Sequence, residues 1–132
     1  MDLSDAPFFG LLRERLGQLS QRQRLIAENI ANASTPGFMP RDVDASAFQA
    51  ALDNASGARL ARTNARHMAA NGAAEVTIVE RADSETTLDG NAVVLEEQTV
   101  RAAETRMQYE TALALYQRGL ELMRMATRPP GR

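Results

Sequence analysis

The 132-residue chain has no cysteine, no lysine and no tryptophan, and a single histidine. Without cysteine there is no disulfide, no thiolate nucleophile and no sulfur-ligated metal, and one His cannot make a zinc set. An enzyme is therefore not expected, nor a cofactor or a metal. Only six residues are aromatic while 23 are Ala, which suits close helix packing better than a thick globular interior. Long apolar runs are also absent. Ala92-Val93-Val94-Leu95, like every other apolar run, is far short of the roughly 20 residues a membrane-spanning helix needs. The N-terminus has neither a basic start nor an unbroken apolar core, so no cleaved signal is expected. The formal charge of −2 gives no support to binding a polyanion.

What the chain does have is two long heptad stripes. Phe9, Leu12, Leu16, Leu19, Gln23, Ile26 and Ile30 recur at alternating spacings of 3 and 4, with Gln23 the one polar member. That period keeps one face toward a partner helix, which predicts a helix from about Pro7 to Asn32. Pro7 fits its first turn, where the missing N–H removes no intrahelical bond. Gly17 inside it marks a close contact, a bend or plain tolerance. The second stripe, Leu95, Thr99, Ala102, Arg106, Tyr109, Leu113, Tyr116, Leu120, Met123 and Thr127, predicts a helix over about 91–127. Asn91 is a candidate N-cap, Glu96 and Glu97 suit the positive end of the dipole, and Arg124 and Arg128 the negative end. Pro129-Pro130-Gly131 stops it. Val93, Val100, Ala103 and Met107 form a neighbouring apolar stripe that asks for a further partner.

The segment between has another character. In Asn32-Ala33-Ser34-Thr35-Pro36-Gly37, Asn32 suits a left-handed cap and Pro-Gly suits a type II turn, so the first helix should end sharply. Ser46 to Ala55, with Phe48 and Leu52 one turn apart, reads as a short helix, Ser56 to Arg66 as a mobile loop, and Val76 to Val79 as β-prone, with a small local hairpin. The expected fold is mainly α: long terminal helices packed as a coiled-coil-like pair, with a small irregular, β-containing middle. The expected divisions are 1–32, 33–90 and 91–132. Negative charge concentrates in the middle, at −3 against 0 and +1 for the flanking parts.

Few side chains suggest chemistry. His67 reads as a structural or surface residue. Arg13, Arg15, Arg22 and Arg24 interleave with Glu14 and Glu28 and lack aromatic stacking partners, so they read as a solvated face. Asp42, Asp44, Asp83, Glu85 and Asp89 lack the spacing of a calcium loop and read as turn and surface residues. Apolar burial along either stripe alone falls short of the cost of ordering its backbone, so association with other chains is the natural supply.

The run from Leu25 to Phe38, containing Ala31-Asn32-Ala33-Ser34-Thr35-Pro36-Gly37-Phe38, resembles the signature of bacterial flagellar rod and hook axial proteins. Pro40 to Asp44, Thr63 to His67, Asp89-Gly90-Asn91 leading into Val94 to Glu97, and Tyr109 extend the resemblance over essentially the whole chain, and within the family it is closest to the proximal rod. Phe38 stands where Tyr is usual, and Val94 where an acidic residue is common.

The resemblance implies a structural subunit of the periplasmic rod, exported by the flagellar type III apparatus without signal cleavage. As part of the drive shaft it would transmit torque from the MS ring to the hook and serve motility. It makes Ala31, Asn32, Thr35, Pro36, Gly37 and Phe38 the signature turn. The assembly seams would be Phe9, Leu12, Leu16, Leu19, Ile26 and Ile30 in the first helix, and Leu95, Ala102, Tyr109, Leu113, Tyr116, Leu120 and Met123 in the second. Phe8 and Leu12 become candidate export contacts, or ordinary packing residues. Expected partners are other proximal rod subunits, the basal-body adaptor protein, the MS ring and the export gate, with no nucleic acid. The alternative is a soluble helical adaptor or export chaperone that shields a partner by helix-in-groove contacts.

Overall fold

The computed structural model describes residues 7–56 and 76–127. The order is α1 (Pro7–Ala31), β1 (Arg41–Val43), α2 (Ser46–Ser56), β2 (Ile78–Glu80) and α3 (Leu95–Ala126). The mainly helical architecture and the bounds of α1 and α2 agree with the sequence reading. The expected loop at 56–66 beyond Ser56, His67, and the Pro129 to Gly131 stop lie outside the described residues.

The two long helices run antiparallel. Phe9 meets Tyr116 edge to face with ring centroids 5.5 Å apart, the Arg15 guanidinium donates to Gln108 Oε1 (3.0 Å), and Asn29 Nδ2 donates to Gln98 Oε1 (3.1 Å). The α3 side of this seam is small and polar rather than aliphatic. Its buried residues are Gln98, Thr105 and Ala112, and Gly119 continues the seven-residue repeat. Side-chain bulk thus falls from Gln to Gly along the seam, which lets Phe9 enter at the far end. On α1 the buried positions are Phe9, Gln18, Leu19, Leu25, Ile26 and Asn29. Gly17 has nothing near its missing Cβ, so it is simply tolerated.

Several expectations need correction. α3 starts at Leu95, with Val94 as an N-cap that makes no side-chain cap bond, so Asn91 is not the cap. Asn91 is buried and spends its side chain elsewhere. With 32 residues against 25, α3 exceeds α1 by about two turns. The β-prone segment makes no local hairpin: β2 pairs antiparallel with β1 across α2, in the register Arg41 to Glu80, Asp42 to Val79 and Val43 to Ile78. A positive φ is confined to Gly37 and Gly90 among the described residues, so Asn32 is not left-handed.

Candidate assembly site: a polar clasp and an open apolar face

The signature turn begins where Asn32 ends α1. Its N–H donates to Glu28 O (3.1 Å) and its Nδ2 to the same carbonyl (2.8 Å), while its Oδ1 accepts from Thr35 Oγ1 (3.1 Å). These bonds satisfy groups that a helix end leaves unpaired. The Phe38 N–H then closes onto Thr35 O (3.2 Å) with Pro36 and Gly37 between them, and Gly37 has φ +69°, as the third position of a type II turn requires.

The turn is gripped from the far end of the chain. Asn91 Nδ2 donates to the carbonyls of Asn32 (2.9 Å) and Thr35 (2.7 Å), and its Oδ1 accepts the Val93 N–H (2.9 Å). The Gly37 N–H reaches Asp89 O, and the Ala92 N–H reaches Phe38 O, both at 3.0 Å. The two left-handed glycines lie against each other here, since a Cβ on Gly90 would sit 3.5 Å from Gly37 Cα. Beside them the Asp89 carboxylate accepts from Thr87 Oγ1 and the Asn91 N–H, which hold it below the ordinary carboxylate pKa.

A second grip lies one turn back along α1. Asn29 Oδ1 accepts the Arg41 N–H (2.9 Å), and its Nδ2 donates to Arg41 O (2.8 Å) and to Gln98 Oε1. Gln98 Nε2 continues to Asp83 Oδ2 (2.9 Å), which also accepts the Val94 N–H (2.8 Å), and Asp83 Oδ1 meets the Arg101 guanidinium (2.6 Å). Asn29, Gln98 and Asp83 are buried, so each bond is made out of water, where an unpaired amide or carboxylate would be costly. This chain of side chains fixes where β1 and the α3 start sit on α1. It corrects the view of Asp83 as a surface residue. Arg15 and Arg22 are likewise half-buried rather than part of a solvated face.

Of the expected seams, Phe9, Leu19 and Ile26 are buried, Leu12 and Leu16 are half-buried, and Ile30 is exposed. Ala102, Leu113, Tyr116, Leu120 and Met123 are half-buried, whereas Leu95 and Tyr109 face solvent. Phe8 is exposed, touching Phe9 edge to face, while Leu12 is partly packed. Of the turn residues, Ala31, Thr35, Pro36 and Gly37 are exposed, and Asn32 and Phe38 half-buried.

α3 carries a second, apolar face. Val100, Met107, Leu115, Leu122 and Met125 are each more than half exposed; at about 100° per residue they span about 80° of arc, with Val100 and Met107 opposite the Gln98–Gly119 seam and Leu115 and Leu122 flanking it. Val100 and Met107 belong to the neighbouring stripe read from the sequence, which the structure extends to Met125. The sequence reading misses Asn29 and Gln98 and misassigns Asp83 to the surface. Their only signal was polarity at helix positions or beside a turn, which apolar periodicity discards.

A clasped antiparallel helix pair whose longer member keeps a second apolar face defines a helical assembly subunit. Residues 12–38 match the family described as flagella basal body rod protein. Among curated relatives, the flagellar basal body rod protein FlgB of Cereibacter sphaeroides is 40% identical over 115 residues, covering 80% of this chain and 88% of that protein. FlgB of Yersinia ruckeri is 34% identical, covering 78% and 80%, and FlgB of Escherichia coli 32%, covering 77% and 79%. The chain belongs to the family of the flagellar basal body rod protein FlgB.

Proposed function

We propose that the chain is a structural subunit of the proximal rod of the flagellar basal body, part of the shaft that carries torque from the MS ring to the hook. The observation that carries this, beside the family, is the second apolar face of α3. Each of its five large side chains is worth roughly 1.5–3 kcal/mol on full burial, and no described part of the chain covers them. A helix packed along one side by its own chain and apolar along another is built to sit between neighbours. The relatives' rod-protein names favour this reading over the helical adaptor, and a structural role leaves no place for turnover.

The three expected parts serve it as an N-terminal axial helix, a signature turn with the middle segment, and a C-terminal axial helix. The partners are other proximal rod subunits, the basal-body adaptor protein and the MS ring. The location is the periplasmic rod, reached through the type III export gate without signal cleavage, with the exposed Phe8 and the adjacent Leu12 as export contacts. No helix among the described residues is long and apolar enough to cross a membrane. The test is deletion and complementation. Loss of the gene should abolish motility, and a tagged copy should restore it and co-purify with basal bodies. Met107→Asp with Leu115→Asp should leave secretion intact and prevent incorporation. Full motility after deletion would sink the reading.

A further inference from the structure

A polar cleft of about 390 Å³ opens between α1, the β1–β2 ribbon and α3, lined among others by Arg15, Gln18, Arg22, Asp42, Asp44 and Arg81. This is within the size range of ligand pockets. Its negative groups are already engaged. Asp42 is held by Arg22 through two bonds of 2.8 Å, and Asp44 accepts the N–H (2.9 Å) and Oγ (2.8 Å) of Ser46. Its donors are not. Gln18 is 3% exposed, yet its Nε2 is a buried side-chain nitrogen with no partner. Arg15 has only neutral partners, the Gln108 amide oxygen and the Phe48 ring 4.6 Å away, and Arg81 forms no ion pair among the described residues. Burial, and next the charge of Arg22, hold the Arg15 guanidinium below its ordinary pKa, a cost that an incoming anion would relieve.

We propose that this cleft receives the carboxylate of an acidic side chain from a neighbouring subunit, with the Arg15 and Arg81 guanidiniums as its donors and the Gln18 amide, whose Nε2 is closed to solvent as it stands, turning to meet it. The cleft has an excess of positive charge in a chain whose net charge is −2, so its complement is an anion. Protein carboxylates match the fork of donors a guanidinium offers. The inference rests on the rod-subunit reading and names the chemistry of one contact within it.

The test is made in cells whose own copy is deleted, scoring secretion, rod incorporation and swimming. Arg81 is exposed and forms no ion pair among the described residues, and thermal unfolding of Arg81→Glu checks that the chain still folds. Arg81→Glu should retain secretion but reduce swimming at least tenfold, with Arg81→Lys close to wild type. Gln18→Leu keeps the volume and removes the unpaired amide. As a folding change it is neutral or favourable, so it should reduce incorporation only because the donor is needed. Suppressors of Arg81→Glu should replace an Asp or Glu of a neighbouring subunit with Lys or Arg.

Wild-type swimming with Arg81→Glu overturns the proposal. So does a loss with Gln18→Leu matched by Glu14→Leu while Arg81→Glu is silent. That result would assign the Gln18 amide to the unpartnered Glu14 Oε1 one turn before it. Saturation of neighbouring acidic residues without a charge-exchange suppressor also overturns it. If deletion of the gene itself left motility intact, the rod reading would have failed; motility lost on deletion but not in these variants fails the cleft alone.

Discussion

The Cβ that Gly119 lacks would stand 2.9 Å from Phe9 Cε1 and 3.0 Å from its Cζ. Phe9 is the buried aromatic at that end of the α1–α3 seam, and its ring occupies the space a side chain on α3 would take. Alanine is ordinarily better than glycine in a helix by about 1 kcal/mol, but here the added methyl must displace a packed ring. Gly119→Leu, which cannot be absorbed by a small ring shift, should destabilise by roughly 1–3 kcal/mol. Denaturant unfolding followed by tyrosine fluorescence would measure it, since Tyr116 packs against Phe9. An unchanged midpoint would show that the aromatic end does not hold the pair together.

Gly37 is constrained by its backbone and not by space. Its φ is +69°, and nothing lies within 4 Å of the position a Cβ would take. Gly37→Val should therefore cost about 1–3 kcal/mol through conformational strain alone and abolish swimming, whereas Gly37→Asn, a residue that tolerates the left-handed region, should retain much of it. Equal loss in both variants would mean that the exposed turn is needed bare for a neighbour, not merely bent.

Asp83 offers a sharper stability test. Its side chain is fully buried and serves Gln98, the Val94 N–H and Arg101 together. Asp83→Ala leaves Gln98 Nε2 and the Val94 N–H without an acceptor and Arg101 with Glu97 alone, and should destabilise by about 3–5 kcal/mol. Removing the half-exposed Glu97, which meets the same Arg101 at 3.0 Å, should cost under about 1 kcal/mol. Thermal unfolding of the two variants would separate buried pairing from surface pairing.

The parts of the fold legible in the sequence were those written in apolar periodicity and turn chemistry. Heptad spacing located α1 to within a residue of Asn32, and Pro36-Gly37 announced the left-handed glycine. The α3 seam was misread for a physical reason. Counting large aliphatics selects Leu95 and Tyr109, but the face that meets α1 is Gln98, Thr105, Ala112 and Gly119, chosen for hydrogen bonding and close approach. A small polar stripe has no signature in hydrophobicity, so its partner Asn29 goes unseen and Asp83 reads as a surface carboxylate. The β1–β2 pairing was equally hidden, because three-residue strands separated by α2 have no local turn to announce their register.

The clasp has an acid-sensitive member. Thr87 Oγ1, first, and the Asn91 N–H hold the Asp89 carboxylate below its ordinary value of 3.8. A carboxylate whose folded pKa is depressed adds stability above its unfolded pKa and loses it as pH falls through the folded value, so this contribution disappears only below about pH 4. Carbon-detected NMR titration should place the Asp89 midpoint below 3.8, and Thr87→Val should move it up. No movement would remove Thr87 as the cause.

Protection from amide exchange in the isolated chain should follow the clasp and not the length of the helices. Asn29, Gln98 and Asp83 form a buried network, and Asn91 a separate grip beside it, that together tie α1, the β1 start and the α3 start, so amides near residues 25–30 and 95–105 have to open against several bonds at once. At the other end the seam shrinks to glycine, α3 outruns α1, and Leu115, Leu122 and Met125 face water. Helix ends with few buried contacts open at little cost. Exchange measured on dilute monomer should therefore be slow around the clasp and fast over residues 112–126 and the first turns of α1. The fast regions should become protected in assembled rods, where the outer face of α3 is covered. Uniformly slow exchange along α3 in a verified monomer would mean that the helix pair is complete without neighbours, and the outer apolar face would then need another explanation than assembly.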